Sequence, residues 1–322
     1  MSGASRPWLP WLAAIGVGAL SAVQSRSNGS LGTTLESGLH AAAVSFSIGF
    51  VLITVVGLSA PRIRLGLVRL LAALRSGEMP WWWAAGGFFG ALFIFSQSFT
   101  VGIIGVALFA VALVSGQNVA SLVIDAVGLG PRGRQRPTAV RVGSAFIGIV
   151  AVLAAVSGRV GDNSLSIPAV LLCLATGVAV AIQQAINGRS TTVSKEPMVA
   201  AWTNFAVGAL TLSVLFVAFV AFGAHSPQPL PAGPWWLYLG GVIGVLFLGT
   251  TAWVVGKVGV LAVSLLITAG NLVGALVLDA VLLDVVDSTL VAGVLLSFAA
   301  VALTASGGVL KRGSSSAGFR TP

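Results

Sequence analysis

Ten apolar runs, each close to the length a helix needs to cross a bilayer, restrict this chain more than any other feature. They fall at about 8–28, 39–59, 80–99, 102–127 and 139–157, then at about 167–187, 197–222, 234–253, 257–282 and 288–307. A bilayer core takes ~20 helical residues. Runs of this length are too long for buried strands, and an open sheet edge cannot face lipid. Little remains from which to build a water-facing surface. Only 8% of the 322 residues are Asp, Glu, Lys or Arg, against roughly 25% in a soluble domain. A soluble enzyme, a secreted disulfide scaffold and a disordered tail are excluded. The expected fold class is an all-α membrane protein with ten transmembrane helices, and the 41 glycines suit helices that approach one another closely.

The charges that do occur are unevenly placed. With the N-terminus on one side, that side receives Arg6, the Arg62–Arg75 and Arg132–Arg141 groups, Arg189, Lys195, Lys257, Lys311, Arg312 and Arg320. The other side receives Arg26 and Arg159, a split of 15 to 2 among 17 basic residues. Basic loops are retained in the cytoplasm, so both termini are expected there and the net charge of +9 reports topology, not nucleic acid. The first apolar run is not read as a signal peptide, because it has a counterpart in mid-chain. Cys173, the single cysteine, lies within an apolar run and reads as a small buried residue.

That counterpart belongs to an internal duplication. Ala22-Val23-Gln24 with Asn28-Gly29 closes the first run, and Ala181-Ile182-Gln183 with Asn187-Gly188 closes the sixth. Pro80-Trp81-Trp82 followed by Gly86-Gly87-x-x-Gly90 opens the third, and Pro234-Trp235-Trp236 followed by Gly240-Gly241-x-x-Gly244 opens the eighth. Gly116-Gln117 with Leu122 and Asp125 in the fourth run matches Gly270-Asn271 with Leu276 and Asp279 in the ninth. A five-helix unit copied once enters the membrane inverted on its second pass. The expected units are 1–160 and 161–310, with a cytoplasmic tail at 311–322. Inverted repeats of this kind are the architecture of alternating-access transporters.

These three motifs resemble one family of the drug/metabolite transporter superfamily, the YdcZ-type inner-membrane exporters, and the chain looks like two of its five-helix units fused. The resemblance implies a bacterial inner membrane and export of a small molecule, and names no substrate. The small multidrug exporters of the same superfamily carry a membrane-embedded Glu in their first helix. Here no Asp or Glu occurs before Glu36, and the corresponding helices carry Gln24 and Gln183, so that proton/drug mechanism does not transfer directly.

Polar side chains inside a bilayer are functional candidates by default, weighed against ordinary interhelical hydrogen bonds of ~0.6 kcal/mol. Gln117 and Asn271, near the middle of equivalent runs, are candidates to line a substrate chamber, with Ser121 and Thr268 on the same stripes. Helix direction places Asp279 at the outer mouth with Gln24 and Asn28, and Asp125 at the inner mouth with Gln183 and Asn187. Each mouth would then combine an amide pair from one half with a carboxylate from the other, as two alternating gates would need. Helix-end capping by the two Asp residues is the simpler alternative. The Trp81–Trp83 and Trp235–Trp236 clusters suit interface anchoring. The glycine pairs Gly86/Gly90 and Gly240/Gly244 suit close helix crossings, and for Trp202, Trp253 and Asn204 packing and lining stay open.

No enzyme constellation is visible. His40 and His225 belong to different loops, and no Gly-x-x-x-x-Gly-Lys loop occurs, so neither a metal site nor an ATP-driven pump is expected, and no cofactor. The leading expectation is a secondary transporter for a small molecule, acting as monomer or homodimer without nucleic acid. A lipid or polyprenyl-carrier flippase and a non-transporting scaffold are the alternatives. The apparent lack of Lys or Arg at the midplane weighs against a phosphate-bearing lipid as cargo.

Overall fold

A computed structural model describes residues 8–131, 133–158, 166–224, 226–282 and 286–316. Among them every regular element is helical: α1 (Leu9–Thr34), α2 (Gly38–Ser59), α3 (Pro61–Arg75), α4 (Gly86–Ile104), α5 (Val106–Val127), α6 (Ala139–Ser157), α7 (Ile167–Ser194), α8 (Pro197–Ala221), α9 (Leu239–Val258), α10 (Val260–Leu282) and α11 (Ser288–Ser316). The two Trp clusters form single 3₁₀ turns, Trp81–Trp83 before α4 and Trp235–Tyr238 before α9.

Among the described residues eight helices are long and apolar enough to cross a membrane: α2 and α4 through α10. α1 is long enough, but its second half, from Gln24 to Ser30, is largely polar. In α11 the apolar described stretch is Ser288–Leu303. α3 is a helix where only a basic loop was expected. Its apolar residues recur at helical spacing, so Ile63, Gly66, Leu70 and Ala73 pack inward while Arg62, Arg64 and Arg75 point out. Such a helix suits an interface position.

Local signals set the boundaries. Ser37 caps α2 by accepting from the His40 amide at 3.2 Å, Glu196 accepts from Met198 at the start of α8, and Pro61 and Pro197 occupy first-turn positions where no amide partner is lost. Glu36 and Lys195, which follow α1 and α7, are the two non-glycine residues with left-handed backbone among the described residues, at φ 51° and 58°. α1 and α7 both run farther than their apolar stretches because residues beyond them are buried, Gly29, Leu31 and Gly32 in α1 and Ser190 and Ser194 in α7.

α5 lies at the centre. Every residue from Val106 to Gly116 is buried, among α6, α7, α10 and α11. α1 packs against α9, α10 and α4, α7 packs against α5 and α4, and α2 with α8 and α6 with α11 form two further pairs. The outward surface is apolar, with Val51, Val55, Phe146 and Leu153 each more than half exposed. That distribution suits lipid.

Candidate functional site

Glycines fix how the central helices cross. A methyl group at Gly177 of α7 would strike the Leu113 carbonyl of α5, and one at Gly116 would strike the Leu174 carbonyl of α7. The same geometry recurs where Gly270 of α10 meets the Ile15 carbonyl and Gly18 of α1 meets that of Ile267. The glycine of each Gly-Gln or Gly-Asn motif is therefore a crossing point, and it carries Gln117 and Asn271 to the α5–α7 and α1–α10 contacts. The backbone nitrogen of Gln117 lies 2.8 Å from where a Gly177 methyl would be. Asn271 keeps a buried Oδ1 with no hydrogen-bond partner. Ser121 and Thr268 spend their hydroxyls locally, donating to the Asn118 and Ser264 carbonyls at 2.8 and 2.9 Å.

The amide pairs lie against the glycine motifs of the opposite half. Asn28 and Gln24 line up with Gly240 and Gly244 of α9, the Gln24 Nε2 lying 3.1 Å from the position of a Gly244 methyl. Asn187 and Gln183 line up with Gly86 and Gly90 of α4 in the same way, joined there by Asn204. Close approach of backbone to a side-chain amide requires glycine at these positions, so the glycine pairs seat amides as well as helices.

From here the two ends differ. At the end carrying Thr34, a continuous relay joins α1 to α4. Asn28 donates to the Gln97 Oε1 at 2.8 Å, Gln97 donates to the Ser25 hydroxyl at 2.8 Å, and Ser25 donates to the Ser21 carbonyl at 3.0 Å. Gln97 and Asn28 are fully buried. Next to this relay Thr100 donates to the Ser96 carbonyl and accepts from the Cys173 thiol of α7. Gln97 escaped the sequence reading because the search followed the duplication, and its counterpart 154 positions on is Thr251. The Thr251 hydroxyl is buried without a partner.

Asp279, expected beside Gln24 and Asn28, has a different bond set. The ends of α1 and α10 do come together, since Arg26 and Ser27 share a pocket with Leu278 and Leu282. The Asp279 carboxylate, however, accepts from the Val106 and Ala107 amides at 3.0 and 2.7 Å and is wholly buried. It caps α5, where the first amides of a helix lack partners and carry a partial positive charge. Gly105 makes room: its φ is +83°, and a side chain there would lie 2.7 Å from the carboxylate. The carboxylate expected in an amide–carboxylate gate is thus an interhelical cap, and of the two amides Asn28 bonds to Gln97 instead.

At the opposite end Asp125 pairs with Arg141 at the start of α6, and neither Gln183 nor Asn187 reaches it among the described residues. This corrects the second gate. Gly259, the counterpart of Gly105 with φ +96°, has nothing near it among the described residues. Arg189 closes the end of α5, donating to the Gly128 and Leu129 carbonyls at 3.0 and 3.1 Å and lying 5.1 Å from the Trp83 ring. Gly29 presses on Val101 of α4, whereas its counterpart Gly188 faces Pro131. α7 and α9 make no contact comparable to that of α1 and α4 among the described residues.

Several open readings close. Trp202 packs, donating to the Thr54 hydroxyl at 3.1 Å beside Phe50. Trp81 and Trp235 are about three-quarters exposed, as interface anchors would be, while Trp83 is held by the Ser190 hydroxyl and Arg189. His40 stacks on Phe216, and His225 lies outside the described residues, as do Arg159 and Asp162. Among the described residues no His, Cys, Asp or Glu cluster could hold a metal. Arg26 is not in a loop: it lies inside α1, eight residues before Thr34.

An all-helical bundle with an apolar exterior defines a multi-pass membrane protein. The family model described as "Putative inner membrane exporter, YdcZ" matches residues 9–157 and again 168–308. The chain belongs to that inner-membrane exporter family, with two copies of its unit in sequence. No curated protein matches it. One solved crystal structure, 20% identical, aligns over 94% of this chain and 97% of its own with a TM-score of 0.50, a likeness that concerns the fold alone.

Proposed function

We propose that the protein is a secondary transporter that exports a small metabolite or xenobiotic by alternating access. In this reading ten helices span the membrane as two inverted five-helix repeats, 1–160 and 161–310, with both termini in the cytoplasm. α3 lies on the cytoplasmic surface and Asp279 at the outer end. Paired backbone features support the duplication. The left-handed residues Glu36 and Lys195 lie 159 positions apart, the left-handed glycines Gly105 and Gly259 lie 154 apart, and the caps Ser37 and Glu196 follow the first pair directly. The excess of basic residues near one set of helix ends supports the orientation.

The observation that carries the proposal is unequal closure of equivalent ends. Asp279 seals α10 onto α5 and Gln97 ties α4 to α1, whereas the corresponding seams of Asp125 with α10 and Thr251 with α7 are unmade among the described residues. Two copies of one unit in two states is what a protein caught open to one side presents. Gln117 and Asn271 lie at the crossings between halves, where neutral amides can both donate to and accept from a polar cargo.

The test uses positions that the repeat relates. In a Cys173→Ser background, spin labels go at Thr33 and Ile103 in one variant and at Thr192 and Lys257 in another, all four exposed. The first pair should be predominantly short and the second predominantly long. Asp279→Asn should shift weight away from the short component of the first pair and toward the short component of the second. Both pairs short in the same fraction of molecules, or an Asp279→Asn change confined to one pair, would refute alternating closure.

A further inference from the structure

Arg26 is unexplained by anything above. Its guanidinium Nε is buried with no hydrogen-bond partner. Among the described residues no carboxylate pairs with it; the nearest along α10, Asp279, is committed to the α5 amides. The side chain opens into a cavity of about 330 Å³ walled by Val23, Ser27, Trp236, Leu278 and Leu282. An arginine with no carboxylate partner among the described residues, set against apolar walls within a membrane helix, is costly and suits a site for an anion. A guanidinium presents its donors in a planar fork that matches a phosphate or carboxylate.

The surroundings choose between anions. Leu282, Val281 and Val277 of α10 are 52, 74 and 52% exposed, so the cavity adjoins an outward face of apolar side chains. Trp236 stands at its edge, and tryptophans of this kind sit at headgroup depth. Arg26 lies eight residues inside the end of α1, about 12 Å at the helical rise, within reach of the phosphate layer for a long side chain. We propose that this is a site for an anionic membrane lipid, with Arg26 holding the phosphodiester and an acyl chain lying over Val23, Leu278 and Leu282. The site lies between α1 and α10, beyond their Gly18–Gly270 crossing, so the lipid braces the closed end from outside. It is a bound lipid and not the cargo.

Thermal unfolding of the purified protein in a neutral detergent tests this without any transport assay. Phosphatidylglycerol should raise the unfolding midpoint, and phosphatidylcholine, with its compensating cation, should do so much less. Arg26→Gln should abolish the difference between the two lipids. Leu282→Trp, which keeps the charge but fills the cavity from an exposed position, should reduce it, while Arg64→Gln on α3 should leave it intact. Stabilisation of equal size by sn-glycerol 3-phosphate would make the occupant a soluble anion and overturn the lipid assignment. An undiminished phosphatidylglycerol effect in Arg26→Gln would overturn the site itself. Neither outcome depends on whether the protein transports by alternating access.

Discussion

Removing the Asp279 carboxylate gives the sharpest measure of how the closed end is held. In Asp279→Ala the Val106 and Ala107 amides lose their acceptor in a region with no exposed surface. A buried donor left unsatisfied costs about 1–3 kcal/mol, so the pair costs about 2–6 kcal/mol, with loss of the charge at a helix N-terminus included in the upper part of that range. Asp279→Asn retains one carbonyl oxygen and loses one acceptor, for about 1–3 kcal/mol. Asp125→Asn disrupts a pair whose side chains are 31 and 25% exposed, and such pairs contribute about 0–1 kcal/mol. The expected order of stability is wild type, then Asp125→Asn close behind, then Asp279→Asn, then Asp279→Ala. Cys173 supplies the assay, because the one thiol in the chain is fully buried and reacts with a fluorogenic maleimide only as the bundle opens. An Asp279→Ala protein as stable as wild type, or an Asp125→Asn cost as large as that of Asp279→Ala, would refute the capping role.

Gln97→Leu should weaken the α1–α4 seam and raise maleimide access to a cysteine placed at Val101, which is buried against Gly29, in a Cys173→Ser background, whereas Thr251→Val should change little. Gly116→Leu and Gly177→Leu should each prevent assembly of the α5–α7 crossing, seen as loss of monodisperse protein on size exclusion; a normal profile from either would exclude the crossing as drawn. Gln117→Leu and Asn271→Leu should leave folding intact by the same profile yet abolish export in a metabolite-accumulation comparison of cells with and without the protein. Normal export by both variants would remove them from the cargo path.

Hydropathy alone located the long helices, because a bilayer-length apolar run has few other fates. It missed α3, whose apolar and basic residues alternate around a helix and average out along the chain. It also ended α1 and α7 too early, since Gly29, Gly32, Ser190 and Ser194 look like loop residues until their burial against neighbouring helices and turns is seen. The amide pairs and the glycine motifs were legible through their duplication, but their pairing was not. Asp279 finds its acceptor role on backbone amides, which leave no mark in sequence except the glycine at 105. Gln97 was hidden for the opposite reason. It has no amide partner in the second copy, so a search for what recurs passes over it.

That mismatch at 97 and 251 reaches beyond packing. Two identical five-helix chains assembled as a dimer must bring the same residues to both faces of the membrane, and whatever strengthens one closed form strengthens the other. Joining the copies in one polypeptide releases that constraint. In the proposed alternating-access reading, glutamine at one position and threonine at its twin let the resting preference between the two faces drift under mutation, one side at a time. The direction in which such a protein waits is then a heritable trait carried by single codons.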